Sequence, residues 1–131
     1  TTDLAGAGCG CNAALYLVPM RHNQRPSECR DYYCDANNVC GESCAEIDIQ
    51  EANQFAWHST LHSAMDHGGK GMGLGGGFKD WQVSQYAPGG ACVDTAKPFE
   101  VTASFPVDPQ GQLTAMQVTL TQEGHSCPLS V

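Results

Sequence analysis

Three carboxylates stand in one short run, Glu46-Ile47-Asp48-Ile49-Gln50-Glu51. Acids this close repel one another, so a chain with no use for them gains nothing by keeping them together. Paired carboxyl groups are the tools of glycosidic-bond cleavage, in which one attacks the sugar or activates water and the other protonates the leaving oxygen. The alternation of acidic and β-branched residues from Glu46 to Ile49 predicts a half-buried strand. Residues two apart on a strand share a face, so Glu46 and Asp48 point one way while Ile47 and Ile49 face the core. Glu51 lies at an odd offset and by strict alternation points away from Glu46. A β-bulge between Asp48 and Glu51 returns it to the acidic face, and bulges re-aim side chains in this way beside active sites.

Such a strand needs neighbours. Residues 12–20 read as one, with Ala13, Leu15 and Leu17 on an apolar face and Asn12, Ala14 and Tyr16 opposite. Residues 55–62 read as another: Phe55, Trp57, Ser59 and Leu61 fall on one side, and Ala56, His58, Thr60 and His62 on the other, facing the acids. His58, His62 and His67 lack metal-ligand spacing and read as solvated or structural histidines, so no metal site is assigned. Residues 21–43 carry few apolar side chains and a cluster of cysteines, the composition of a long loop stapled by disulfides. Residues 68–77 are glycine-rich but lack the Gly-Lys-Ser/Thr ending of a phosphate loop, and read as a loop at a cleft rim. Trp81 is taken as a substrate-binding platform for a sugar face, although a core tryptophan suits the residue as well.

Further on, Phe99, Val101, Ala103 and Phe105 alternate with polar residues, and Met116, Val118 and Leu120 do the same. Between them Asp108-Pro109-Gln110-Gly111 has the residues of a type I turn, which makes the pair an antiparallel hairpin. No stretch sustains a 3.6-residue period. The expected fold class is therefore all-β: an antiparallel two-sheet β-sandwich, a small disulfide-stapled jelly roll over residues 1–131 with little helix.

Composition narrows the function. With 131 residues the chain is one domain, able to bury about two thirds of its unfolded surface. Its 8 cysteines imply an oxidising compartment and hence secretion, with the pairing left open. Zinc is the other use of clustered cysteines, but Cys9 and Cys11 are one residue apart and Cys29, Cys34, Cys40 and Cys44 lack Cys-x-x-Cys knuckles. A net charge of −8 with only 6 Lys+Arg argues against nucleic acid or an anionic membrane as partner. No apolar run approaches about 18 residues and no charged-then-apolar leader is seen, so neither a transmembrane helix nor an uncleaved signal is expected.

The run Glu46-Ile47-Asp48-Ile49-Gln50-Glu51-Ala52-Asn53 resembles the signature of glycoside hydrolase family 7, the cellulases. Its shorter Glu-x-Asp-x-x-Glu core also resembles family 16 β-glucanases, of the same jelly-roll type. The likeness to family 7 extends to Asn12-Ala13-Ala14-Leu15-Tyr16, to Tyr33-Cys34-Asp35, to Thr60-Leu61-His62, and to Asp94-Thr95-Ala96-Lys97-Pro98-Phe99. The resemblance implies retaining hydrolysis of a β-1,4-glucan without a cofactor: Glu46 as nucleophile, Glu51 as acid/base and Asp48 tuning Glu46. It also implies that Asn12, Tyr16, Asp35 and His62 reach the substrate cleft. From the residues alone, Tyr16 is equally a half-buried strand tyrosine and Asp35 a turn aspartate bonding its own backbone. Family 7 catalytic domains are longer, with loops that roof a tunnel or groove, so the cleft here is expected to be short, open and endo-acting. The rival reading is an extracellular structural or carbohydrate-binding jelly roll with an idle motif, whose open sheet edges make self-assembly possible.

Overall fold

The computed structural model describes residues 1–20, 24–64, 66 and 81–131, with 74–75 as backbone. The chain is all-β, with no helix among the described residues. Its strands are β1 (Ala13–Leu17), β2 (Glu46–Ala52), β3 (Trp57–His62), β4 (Leu74–Gly75), β5 (Tyr86–Ala87), β6 (Val93–Asp94), β7 (Glu100–Ser104), β8 (Gln117–Thr121) and β9 (Leu129–Ser130). They form an antiparallel sheet in the order β1-β2-β3-β4, a three-stranded antiparallel sheet β7-β8-β9, and the short pair β5-β6. That last pair is parallel, an exception to the antiparallel expectation. Of the glycine-rich stretch 68–77, only Leu74–Gly75 is described, paired with Thr60 and Leu61 of β3. The remainder of that stretch, like His67, lies outside the described residues.

The core lies between the two larger sheets. Ala52 and Trp57 from the first meet Val118, Leu120 and Leu129 from the second, with Tyr86, Val93, Phe99 and Leu4 filling the space. Trp57 is fully buried, and the rings of Tyr86 and Phe99 meet it edge-on at 6.1 and 6.2 Å. The β7–β8 hairpin forms as its alternation requires, pairing Val101 with Leu120 and Ala103 with Val118. Its turn is closed by Asp108, whose carbonyl accepts the Gly111 N–H at 2.9 Å and whose side chain accepts those of Gln110 and Gln112.

This core covers only one end of the first sheet. Ala13 packs against it, but Leu15 and Leu17, expected on the core face, are 51% and 50% exposed and lie outside the core cluster. At the same end a hollow of about 260 Å³ lies between Ile47 and Leu61 on the sheet and Leu113–Ala115 of the hairpin connection. Three disulfides close the loops: Cys29–Cys40, Cys34–Cys44 and Cys92–Cys127. Cys9 and Cys11 are exposed free thiols, so the disulfide framework takes in six of the eight cysteines.

Candidate functional site

The site is built on an irregularity in β2. Against β1, Leu15 pairs with Gln50 but Tyr16 with Asp48; against β3, Asp48 pairs with Thr60 but Glu51 with His58. On both sides β2 uses one residue more than its neighbour between Asp48 and Glu51, which is the bulge the alternation calls for. Side chains of residues paired across a sheet share a face. Glu46 therefore joins His62, Asp48 joins Thr60 and Tyr16, and Glu51 joins His58. The bulge is pinned from the opposite face: the Trp57 Nε1–H donates to Ser59 Oγ at 2.9 Å, and the Ser59 hydroxyl donates to the Ile49 carbonyl at 2.8 Å.

In the first half of β2 the acids are more deeply buried than the isoleucines, against the expectation that Ile47 and Ile49 would face the core. Glu46 and Asp48 are 8% and 4% exposed, whereas both isoleucines are half-buried. The disulfide-held loop accounts for this. The Ala36 N–H in that loop donates to Glu46 Oε2 at 2.9 Å, giving a buried carboxylate a partner in place of water. Glu51 is less covered. It accepts from Asn12 Nδ2 at 3.0 Å and lines an open hollow of about 220 Å³ with Cys11, Asn12, Asn53 and His58.

Charge crowding falls on Asp48. Burial, reinforced by the charges of Glu46 and Glu51 and by a hydrogen bond to Glu46, pushes its carboxyl up to about 7, with His62 pulling the other way. His62 Nε2 lies 3.1 Å from Asp48 Oδ2, and its Nδ1 lies 2.6 Å from Asp66 Oδ2. Burial disfavours the charged ring, but the hydrogen bond to Asp66 and the charges of Asp48, Asp66 and Glu46 outweigh it and hold His62 above the ordinary histidine value.

The structure thus brings Glu46, Asp48, Glu51, Asn12 and His62 into one hydrogen-bonded and electrostatic group. Asp35 is buried and makes the turn contact read for it, together with a bond to a neighbouring tyrosine. Its Oδ1 accepts the Val39 N–H at 3.0 Å, a turn contact, and its Oδ2 accepts the Tyr33 hydroxyl at 3.0 Å. The Tyr33 oxygen lies 2.9 Å from that of Tyr16. Since the single Tyr33 proton goes to Asp35, Tyr16 donates to Tyr33 and keeps its own lone pairs for another donor. Trp81 is not brought to this face. Its ring packs 6.0 Å from Trp57 and 5.8 Å from Tyr86, with the core layer on the far side of the sheet. Asp66 and the role of Tyr33 were not read from the sequence; the only trace of Asp66 is a carboxylate four residues after a histidine. Asn53, the last residue of the acidic motif, shapes the β2–β3 turn by accepting the Phe55 and Ala56 N–H groups at 2.8 and 3.0 Å.

Comparison with known proteins bears on this geometry. Endoglucanase EG-1 of Hypocrea jecorina is 32% identical over 96% of the chain and 32% of its own length. The chain is similar to endoglucanases. Endoglucanase EG-1 of Trichoderma longibrachiatum is 30% identical over the same shares, and Endoglucanase 1 of Pyricularia oryzae 31% identical over 88% of the chain and 36% of its own length. The chain spans about a third of the length of the curated relatives it matches. No family model matches the chain, and no solved structure does.

Proposed function

We propose that the chain carries the catalytic strand of a secreted, family 7-like endoglucanase that hydrolyses β-1,4-glucan with retention. The observation that carries this reading is the bulge between Asp48 and Glu51, which sets three acids on one face of a chain similar to endoglucanases. Glu46 attacks the anomeric carbon and forms the glycosyl-enzyme bond while Glu51 gives its proton to the departing oxygen. Glu51 then takes a proton from water as the water oxygen bonds to the anomeric carbon, displacing Glu46 as a free carboxylate and releasing the sugar. Retention requires the two carboxyl groups about 5–5.5 Å apart, a span that two glutamates on one bulged strand can cover. Asp48, protonated more readily than an ordinary aspartate, donates to Glu46 and orients it. Asn12 holds Glu51, and Tyr16, backed by Tyr33 and Asp35, offers an acceptor to a sugar hydroxyl. The open hollow beside Glu51 suits a glucan lying across the surface better than one threaded through a tunnel. Glu46→Gln and Glu51→Gln should each lower reducing-sugar release from soluble cellulose by about 10²–10⁴-fold; full activity in either variant removes that residue from its role.

A second reading is favoured by the burial of Glu46 and Asp48 and by the half-exposed Leu15 and Leu17 on the terminal strand β1. In it the chain is an extracellular jelly roll that binds glucan without cutting it, or assembles through that edge, with the acids idle. Retention on cellulose without product, or large species on size exclusion without turnover, would mark this case.

A further inference from the structure

Asp66 lies outside the acidic motif, yet its side chain is 1% exposed and meets His62 at 2.6 Å. The chain returns on itself after β3, with the Asp66 N–H donating to the Ser63 carbonyl at 3.0 Å, and this carries the carboxylate to the Nδ1 edge of the ring. The Nε2 edge faces Asp48 Oδ2 at 3.1 Å. A histidine between two carboxylates donates from both nitrogens only as imidazolium; as a neutral ring it has one N–H, and the other nitrogen must accept. Asp48 and Glu46 act on one another as neighbouring carboxyl groups, and a hydrogen bond between two carboxyl groups requires a proton. The orientation of the Asp48 carboxyl thus depends on what the ring presents to it.

We propose that Asp66 is a positioning residue: as an anion against Nδ1 it keeps His62 doubly protonated, so that Nε2–H grips Asp48 Oδ2 and leaves the other Asp48 oxygen for Glu46. The catalytic part of this inference rests on the hydrolase reading above; the state of the ring does not. Among the described residues, the charged groups that act on the ring are Glu46 and Asp48 from β2 and Asp66 from the segment after β3, all acidic and all favouring the imidazolium. Removing Asp66 removes the partner with the shortest contact. Burial alone would carry the ring below the ordinary histidine value of about 6.5, and the hydrogen bond to Asp66 is the foremost of the contacts that reverse this.

The test is ¹H–¹⁵N correlation of the His62 ring from pH 4 to 9 in the unaltered protein and in Asp66→Asn, which keeps the shape and removes the charge. In the unaltered protein both ring nitrogens should carry protons at pH 7.5, and in Asp66→Asn the midpoint should fall by about one pH unit or more. In parallel, kcat on soluble β-glucan should match the unaltered protein near pH 5 and fall about tenfold behind it at pH 7.5, with KM within about twofold. A ring with one N–H at pH 7.5 in the unaltered protein overturns the proposal, as does an unchanged midpoint in Asp66→Asn. If Asp66→Asn does not fold, the same titration of Asp66→Ser decides, with the same fall in midpoint expected and an unchanged midpoint overturning the proposal. If no form releases sugar, the ring spectra still decide the role of Asp66, and the failure belongs to the hydrolase reading.

Discussion

At the residue level the balance of forces is clearest at Asp48. A carboxylate in water has no reason to hold its proton near neutrality, but here burial and two neighbouring acids raise it to about 7 from 3.8. A raised folded-state value means that the native state binds a proton the unfolded chain has lost. The stabilisation from Asp48 is full below its unfolded value of about 4 and fades as pH rises through about 7. His62, also raised, acts with the same sign: its contribution is full below about 6.5 and is lost as pH climbs past its folded value. The thermal midpoint should therefore fall from pH 6 to 8, and fall less in Asp48→Asn, which removes one of these protons and weakens the other. A midpoint that climbs over that interval contradicts the charge arrangement described here. The acids themselves were legible in the sequence because their type and spacing are local facts. Asp66 was not, because its contact depends on the return of the chain after β3. Trp81 was open between two readings, since a tryptophan suits a core as well as a sugar and only the opposite layer decides between them.

At the level of the element, β2 reads plainly until Asp48 and then departs from strict alternation. The bulge could be inferred because three acids with a common use need a common face, and the register with both neighbours contains it. What holds the bulge could not be inferred, since the Trp57–Ser59–Ile49 relay crosses from one strand to the next. Ser59 is buried, so Ser59→Ala leaves the Ile49 carbonyl and the Trp57 N–H without their partners. Such a loss costs about 1–3 kcal/mol. Urea denaturation should show a decrease of that size; under the proposed function, glucan hydrolysis should fall further than stability alone explains as Glu51 loses its aim. Equal stability in the variant would mean that the relay does not hold the bulge. Burial of the acidic face was hidden from the sequence for a related reason. Alternation shows that Glu46 and Asp48 share a face but not that a loop held by Cys29–Cys40 and Cys34–Cys44 lies over it.

Across the whole molecule, two antiparallel sheets share a core at one end of the acid-bearing sheet and leave Leu15 and Leu17 open at the other. The β7–β8 hairpin was fully legible, because its alternation and turn residues agree with one another. The exposed end was not, because how far one layer extends over another is set by the packing of distant segments. The relatives are about three times as long as the chain, and the acids sit on its best-braced strand. The central claim is that Glu46, aimed by this frame, forms a covalent bond to sugar. It is tested most directly by incubating the protein with a 2-deoxy-2-fluoro-β-cellobioside bearing a good leaving group, then measuring intact mass and mapping the peptides. One cellobiosyl adduct on the peptide holding Glu46, absent in Glu46→Gln, is the predicted result. An unmodified protein, or an adduct on any other residue, would contradict it.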